Sequence, residues 1–451
     1  MRPITLLEIG YKLTTGWLAH ELRRRSTASD FPLWSHNQYG GDGGTQNALL
    51  RFLAAFEDAA EHPSKEIYAC LADVQAAYDS VSPDSKSLAY RRAGLPESFI
   101  NFAHDLDQNA VTSVLVPGTE PADPFTVECG FRQGDPLSVL GWLIFFNPLV
   151  DWVTRGLPAG SPPVSYSPPP SSSQARLNGS HLRKDHTAVT ACYQLSRAGG
   201  KTDPLFYMDD AAFVTQSRRA LTTHLERMSL YLAFHHVNVH PDKTVFIART
   251  PAPIPHRPAV LTAGEWRPIH LLPLNSPLKY LGVHFQLDGK WTYQKRCLLS
   301  NTHRLLSTLP RRAASLAEAR DFIATVVHRS ALYRTQLIPL PHSFLMNLDR
   351  LCIQALNRAA GLQRFAAYWR WLAPFTAGGL GYEPLYIKTL AEQTTLITLW
   401  LTELTPTPEY SAFLSLLSRH ALSHHRACSP LFISPADHRP PPIPTTRLTL
   451  C

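Results

Sequence analysis

The chain has 451 residues, with 43 Lys and Arg against 35 Asp and Glu for a net charge of +8, and 44% hydrophobic residues. That length points to two or three domains, and the hydrophobic share is enough to build their cores, which excludes wholesale disorder. The longest apolar stretch, Val139 to Phe146, stops at Asn147 and Pro148, short of the roughly 18 residues a bilayer span needs, so the membrane class is set aside on that ground.

Seven cysteines are scattered singly, which excludes a disulfide scaffold or a cysteine zinc site and fits free thiols in a reducing compartment. The basic balance hints at a polyanionic partner, but charged residues are only 17% of the chain. Short clusters such as Arg23–Arg25, Arg91–Arg92 and Arg311–Arg312 read individually as solvated surface.

The first 60 residues read as helix, loop, helix. Leu6, Leu7, Ile9, Leu13 and Leu18 mark the first helix, and the Gly-rich stretch Tyr39–Gly44 lies between the two. The Arg-bearing start has the look of an organelle transit peptide, yet Glu8, Glu21 and the apolar periodicity predict a folded helix. Residues 66–156 alternate a short strand (Ile67–Val74), helices, a hairpin-like stretch (Thr112–Val127) and a long apolar helix (Pro136–Val153). Leu157–Ser173 carries six prolines and many serines, so residues 157–200 are expected to form a flexible surface insertion. Patterning returns at Leu205 as strand, turn, strand, helix, then strands to about residue 290. Beyond that, Phe322, Ile323, Val326 and Val327 fall at helical spacing, as do Leu345, Leu348, Cys352, Ala355 and Leu356. A final helix is expected over Pro384–Leu404, and the tail from Ser434, with Pro440–Pro442, reads as disordered.

The informative residues are acids at the ends of apolar strands. Phe206-Tyr207-Met208-Asp209-Asp210-Ala211-Ala212-Phe213-Val214 is an apolar run broken only by two aspartates, which predicts a hairpin with both carboxylates at its turn. Asp-Asp is also a common turn pair and alone would carry no function. The strand at Ile67–Val74 carries a second acid at its end, Asp73, and is followed by Gln75 to Tyr78-Asp79. Three carboxylates meeting at one point repel unless cations neutralise them, and the hard, oxygen-seeking ion that suits them is Mg²⁺, with Mn²⁺ as a substitute. Two such ions about 4 Å apart are the arrangement used for nucleotidyl transfer. Between the two acidic strands, Gly130-Phe131-Arg132-Gln133-Gly134-Asp135-Pro136-Leu137-Ser138 leads into the apolar helix, with Asp135 or Ser138 as its cap. It reads either as a plain loop-to-helix junction or as a backbone platform beneath a base pair.

In this order the segments resemble a reverse transcriptase of the non-LTR (LINE-type) retrotransposon family. Asp73 to Tyr78-Asp79 resembles that family's first catalytic motif, Arg132–Ser138 its second, and Tyr207-Met208-Asp209-Asp210 the third. His240-Pro241-Asp242-Lys243-Thr244 is similar to the fourth, and Leu278-Lys279-Tyr280-Leu281-Gly282-Val283 to the fifth, the primer grip. Arg2–Leu7 followed by Tyr11-Lys12 resembles the fingers signature, and Gly378-Gly379-Leu380-Gly381 a stretch that follows the thumb.

The resemblance implies an α+β right-hand polymerase with an antiparallel-sheet palm (66–290), partial fingers (1–65), a helical thumb (291–405) and a partly disordered tail (406–451). It implies extension of a DNA primer 3′-OH on an RNA template with deoxynucleoside triphosphates and two Mg²⁺ ions. Asp73 and Asp209 would be the principal metal ligands and Asp210 a more peripheral one. Tyr78 would exclude the ribose 2′-OH, Arg132, Gln133 and Gly134 would lie along template and incoming base, and Lys243 would approach the triphosphate and protonate pyrophosphate. Lys12 would reach the triphosphate, and Tyr280, Leu281 and Gly282 would hold the primer terminus. Asp79 stands between metal ligand and helix cap. No membrane partner and a nuclear location are implied as well.

The sequence also departs from the family. Glu21 stands where a basic residue is usual, His240 where asparagine is usual, and Val139-Leu140-Gly141-Trp142 replaces a Pro-rich, Phe-bearing continuation. The loop Gln38–Gly44 lacks the usual aromatic and arginine. The chain is expected to be a truncated piece that begins inside the fingers, with no endonuclease ahead and no ribonuclease H or zinc knuckle behind. The alternative is an inactive remnant that only binds nucleic acid, favoured by Glu21 and the truncated fingers and opposed by the three aspartates. An RNA-dependent RNA polymerase fits less well because of Tyr78 and Arg132–Ser138, and an intron or retron enzyme because of Arg2–Leu7 and Gly378–Gly381.

Overall fold

The computed structural model describes residues 7–28, 33–41, 43–109, 111–114, 118, 120, 122–155, 164–165, 201–202, 204–251, 254, 256–309, 315–338, 340–361, 368–402, 407, 409–413 and 415–416. All but Leu7 of the Arg2–Leu7 signature, nearly all of the 157–200 insertion, Arg311–Arg312 and the Ser434 tail lie outside them. One compact unit comprises residues 1–164 and 202–399, and it contains every candidate site residue. A second comprises 165–201 and 400–451, within which Trp400 packs on Phe413 at 5.3 Å between ring centres.

The first unit is built around a five-stranded sheet. Its central strand β1 (Ile67–Ala72) is apolar and buried on both faces, so it reads as a continuous hydrophobic run rather than an alternating one. A hairpin of β4 (Leu205–Tyr207) and β5 (Asp210–Thr215) pairs antiparallel on one side of β1, through β5, and β6 (Val245–Arg249) pairs antiparallel on the other. The short strand His270–Leu271 adds parallel to β6. The strands between are the exposed pair β2 (Val111–Thr112) and β3 (Phe125–Thr126), which supply the expected hairpin.

Helix α1 (Ile9–Ala28) and helix α2 (Gly44–Glu61) precede the sheet. Helix α3 (Pro83–Arg92) begins with Pro83 at its first position and the Ser82 hydroxyl accepting the Ser85 N–H at 3.2 Å. Helix α4 (Glu97–Gln108) packs beside it, and helix α5 (Pro136–Thr154) fills the core. Asp135 caps α5 by accepting the Leu137 N–H (3.1 Å) and the Ser138 hydroxyl (3.1 Å), with Pro136 at the first position, where its missing N–H costs nothing.

Helix α5 corrects the reading of the apolar stretch. As expected over Pro136–Val153, the helix continues through Pro148 and runs 19 residues to Thr154; what changes is that this whole length is apolar enough by composition to cross a membrane. What places it is burial: 67% of that window is inside the protein, with Trp142, Leu143, Phe145, Phe146 and Leu149 wholly enclosed. Each such side chain contributes about 1.5–3 kcal/mol of hydrophobic stabilisation. It is the core helix of this unit.

After the sheet comes α6 (Arg218–Phe234) ahead of β6, and two further hairpins, Ala259–Thr262 with Glu265–Pro268 and Leu278–Tyr280 with Val283–Phe285. The helical region holds Thr292–Thr308, a run from Leu316 to Thr335 that passes through a π-helical turn at Ile323–His328, and His342–Ala359. The final helix runs Leu385–Thr402. Asp349 caps it, accepting the Leu385 and Tyr386 N–H groups (2.7 and 3.2 Å) and the Tyr382 hydroxyl (2.8 Å). The Gly378–Gly381 stretch brings Tyr382 there by folding back along Arg370–Ala373, and a Cβ at Gly379 would stand 1.9 Å from the Ala373 carbonyl oxygen.

Candidate active site

The sheet register brings the acids together. Ala72 pairs with Ala211, so one step further along the two strands sets Asp73 opposite Asp210. Tyr207 pairs with Asp210, which leaves Met208 and Asp209 as the two turn residues. Asp209 is therefore the turn aspartate and Asp210 begins the next strand, a finer placement than two acids sharing a turn. Asp73 and Asp209 are half-buried and Asp210 is exposed.

Asp73 is held by the segment before β6. Its N–H donates to the Thr244 hydroxyl at 3.2 Å, and its carbonyl accepts the His240 N–H at 2.8 Å. The Lys243 ammonium stands 3.7 Å from the Asp73 carboxylate. Both charged groups are partly solvated, so this pair supplies placement more than stability. Val74 bridges to Val239 and the Gln75 N–H donates to the Asn238 carbonyl, which zips the end of β1 to the same turn. Thr244, fully buried, is a site residue that the sequence reading quoted but gave no role.

The segment after Asp73 turns through Ala76, at φ 47, into a short 3-10 helix at Ala77–Asp79. Asp79 is the exposed last residue of that turn, not a cap of α3. The half-buried Tyr78 ring stacks on Trp142 at 4.9 Å and 23°, and Trp142 stacks on Phe146 at 5.2 Å and 23°. Trp142, one of the departures noted above, is thus the wall behind Tyr78.

The Arg132–Ser138 loop lies across this turn because Gly130 has no side chain. Its φ is 99, and a Cβ there would meet the Asp79 Cα at 2.9 Å and the Tyr78 carbonyl oxygen at 3.0 Å. Buried Lys86 holds the loop by donating to the Gly130 carbonyl (2.5 Å) while paired with Asp107 (2.8 Å), and burial draws its ammonium below the ordinary lysine range. Arg132 donates to the Tyr11 hydroxyl at 3.0 Å with its guanidinium over that ring, which fastens the loop to α1. Burial pushes the Tyr11 phenol up from its usual range. Gln133 is half-buried and Gly134 exposed. Gln133 borders a cleft of about 1300 Å³ whose walls also include Tyr11, Asp79, Phe102 and Arg132.

The remaining candidates are spread. Lys12 is exposed on α1, and no contact among the described residues joins it to the three aspartates. Glu21 is engaged by Arg24, whose two donors reach it at 3.1 and 2.9 Å, so its charge is answered on its own helix. Tyr280 needs correction as a primer contact. It is 2% exposed and its ring packs on Phe52 at 4.8 Å, on the core face of its strand. Leu281 and Gly282, at φ 43 and 80, form the turn itself and are half-exposed. The Tyr333 hydroxyl donates to the Leu281 carbonyl at 2.8 Å.

Among the described residues, no group of three or more His, Cys, Asp or Glu side chains is drawn together closely enough to hold a metal ion. The donor chemistry at the strand ends is nevertheless all carboxylate oxygen, the kind that a hard divalent ion takes.

A protein-family model described as "Reverse transcriptase (RNA-dependent DNA polymerase)" matches residues 1–285. The chain is 36% identical over 122 residues to a retrovirus-related Pol polyprotein from type-1 retrotransposable element R2 of Nasonia vitripennis, covering 26% of this chain and 11% of that protein. Among solved structures, apo telomerase from Candida tropicalis matches with a TM-score of 0.38 at 12% identity, over 90% of this chain and 61% of that one. Telomerase from Candida albicans, in complex with a fragment of telomeric RNA, matches with a TM-score of 0.33 at 11% identity, over 88% and 57%. The chain thus spans about a tenth of the length of the curated relative it matches.

Proposed function

This chain belongs to the reverse transcriptase family, a right-hand polymerase fold, and from that premise we propose that it extends a DNA primer 3′-OH on an RNA template. The observation that carries the reading is the register that sets Asp73 opposite Asp210 and beside the Met208–Asp209 turn at one end of the sheet. Residues 66–290 then serve as palm, 1–65 as partial fingers and 291–405 as thumb. A non-LTR placement is supported by the likeness to the R2 polyprotein.

In this reading Asp73 and Asp209 hold two Mg²⁺ ions, with Asp210 outside them. The bound ions would lower the pKa of the primer hydroxyl and neutralise charge at phosphorus. An open carboxylate site suits Mg²⁺, which keeps water and substrate phosphates among its ligands instead of taking a closed protein cage. Thr244 and His240 fix the Asp73 main chain, which limits where its carboxylate can swing. Lys243, at 3.7 Å from Asp73, is placed to meet the triphosphate and give a proton to departing pyrophosphate. The Tyr78 ring, backed by Trp142, blocks a ribose 2′-OH. Gln133, on the wall of the cleft, and Gly134 beside it would lie along template and incoming base.

The test is primer extension by the purified chain on an RNA template with Mg²⁺, beside Asp209→Asn. Product from the native chain and none from the variant is the expected result. A native chain that binds the hybrid without extending it would establish the inactive, binding-only alternative.

A further inference from the structure

The loop ahead of α2 reaches the catalytic turn from outside the sheet. The Tyr39 N–H donates to the Phe206 carbonyl (2.7 Å) and the Phe206 N–H to the Asn37 carbonyl (3.0 Å), so residues 37–39 line the free edge of β4. Between them, the Gln38 side chain is 1% exposed and grips Met208 at both main-chain groups. Gln38 Oε1 accepts the Met208 N–H at 2.9 Å, and Gln38 Nε2 donates to the Met208 carbonyl at 3.1 Å. The second lone pair of Oε1 takes the Gly40 N–H at 3.2 Å. With two N–H donors facing one end of the amide and a carbonyl facing the other, only this orientation satisfies all three groups.

Two further features show that the contact is built. Met208 has φ 55, a left-handed conformation that costs a side-chain-bearing residue roughly 1–2 kcal/mol and persists only where its surroundings hold it. Gly40 leaves space for the Met208 side chain, since a Cβ there would lie 2.7 Å from its Sδ. Behind the loop, fully buried Arg51 of α2 donates to the Asn37 side-chain carbonyl (3.0 Å) and to the Tyr39 hydroxyl (2.6 Å), which fixes the residues on either side of Gln38.

We propose that Gln38 is a positioning residue for nucleotidyl transfer: its amide locks the Met208 main chain and so sets the direction of the Asp209 carboxylate. The inference rests on the polymerase reading of the Asp73/Asp209 site. Gln38 is buried and its amide is taken up by the Met208 and Gly40 main chain, so it acts through the turn. Its loss therefore lowers turnover and leaves binding intact, and a carboxylate displaced by about 1 Å costs on the order of 100-fold.

The experiment compares the full chain with Gln38→Ala and Gln38→Glu. The second keeps the acceptor for Met208 and Gly40 and loses the donor. Expected is a kcat roughly 10- to 100-fold lower for Gln38→Ala and a smaller loss for Gln38→Glu. KM for deoxynucleotide and Kd for primer–template stay within about twofold, as does the native melting transition, since no substrate contact is removed. In metal-free protein, hydrogen exchange across residues 205–212 accelerates roughly tenfold in Gln38→Ala. An unchanged kcat overturns the proposal. So does loss of melting transition, primer binding and kcat together in both variants, which would mark a general stabiliser. If the native chain makes no product, the polymerase reading falls. The exchange measurement then judges the clamp by itself, and unaltered exchange at 205–212 overturns it.

Discussion

The turn at Met208–Asp209 and the turn at Leu281–Gly282 are both two-residue hairpins in the same compact unit, and each holds a non-glycine residue in the left-handed region, at φ 55 and φ 43. The first is gripped at N–H and carbonyl by a buried amide from the loop before α2. The second is held at one carbonyl by the half-exposed Tyr333 hydroxyl, from the helix Arg329–Thr335. Two bonds to a buried partner leave a turn little freedom, and one bond from a neighbouring helix lets a turn follow that helix. The comparison assigns rigidity to the turn that bears a carboxylate and compliance to the turn that would meet the primer.

The largest expected effect is the one that would break the comparison outright. Asp209→Asn should lower kcat for primer extension roughly 1000-fold or more, because on the proposed function it removes a charge that would hold the ions, with primer–template Kd nearly unchanged. Asp210→Asn should cost clearly less. Equal losses at the two positions would remove the distinction between turn and strand aspartates on which the rigid turn depends.

Thr244→Val comes next. The replacement is close in shape but leaves the half-buried Asp73 N–H without its 3.2 Å acceptor, a cost of about 0.5–1.5 kcal/mol, and frees the end of β1 to shift. A kcat loss of about 10- to 30-fold with unchanged deoxynucleotide KM is expected. Full activity in this variant would show that the β1 acid needs no clamp of its own.

The two regions can also be told apart by acid. His224 stacks flat on Phe213 of β5 at 5.4 Å, and His328 sits in the π-helical turn that leads into the Tyr333 helix, its Nε2 3.0 Å from the Tyr382 hydroxyl. Burial lowers each imidazole to about 4, helped by Arg227 beside His224 and by Lys388 beside His328, with Glu383 opposing it. A depressed folded-state value means that the unfolded chain takes the proton first. The stability is therefore complete above the unfolded value near 6.5 and drains away as pH falls toward 4. Between pH 7 and about 5.5 each histidine should cost the fold on the order of 1 kcal/mol, or roughly 2–4 °C in melting temperature. Replacing His224 by Phe or His328 by Gln should each remove part of that slope, and a slope untouched by both would discard the assignment.

How much of this was legible in the sequence follows from the range of the contacts involved. Asp73, Asp209 and Asp210 interrupt apolar strands, so local pattern alone exposed them, and the register then joined them. Gln38 was quoted as part of an atypical Gly-rich loop, but its partner lies 170 positions away and no local pattern points to it. Trp142 sits in an apolar run whose members all looked alike until the helix brought one ring beneath Tyr78. Tyr280 was misplaced for a reason the sequence did contain. Leu278 and Tyr280 are buried with exposed Lys279 between them, and period-2 alternation puts the tyrosine on the core face. A motif names positions, and the pleat decides which way they face.

The smallest effect bears on the compliant turn. Tyr333→Phe removes the bond to the Leu281 carbonyl and leaves the ring, which already lies 3.3 Å from where a Gly282 Cβ would stand. The carbonyl belongs to a half-exposed residue, so water can replace the lost donor and the net cost should be about 0.5–1 kcal/mol. If this turn holds the primer while the Met208–Asp209 turn does the chemistry, the loss should appear as primer–template dissociation about 2- to 5-fold faster, and shorter products per binding event. The single-turnover rate at saturating deoxynucleotide should not change. A slowed single-turnover rate with normal dissociation would reverse the assignment, because the bond from Tyr333 would then be setting the geometry of the reacting end and the second turn would be as rigid in function as the first.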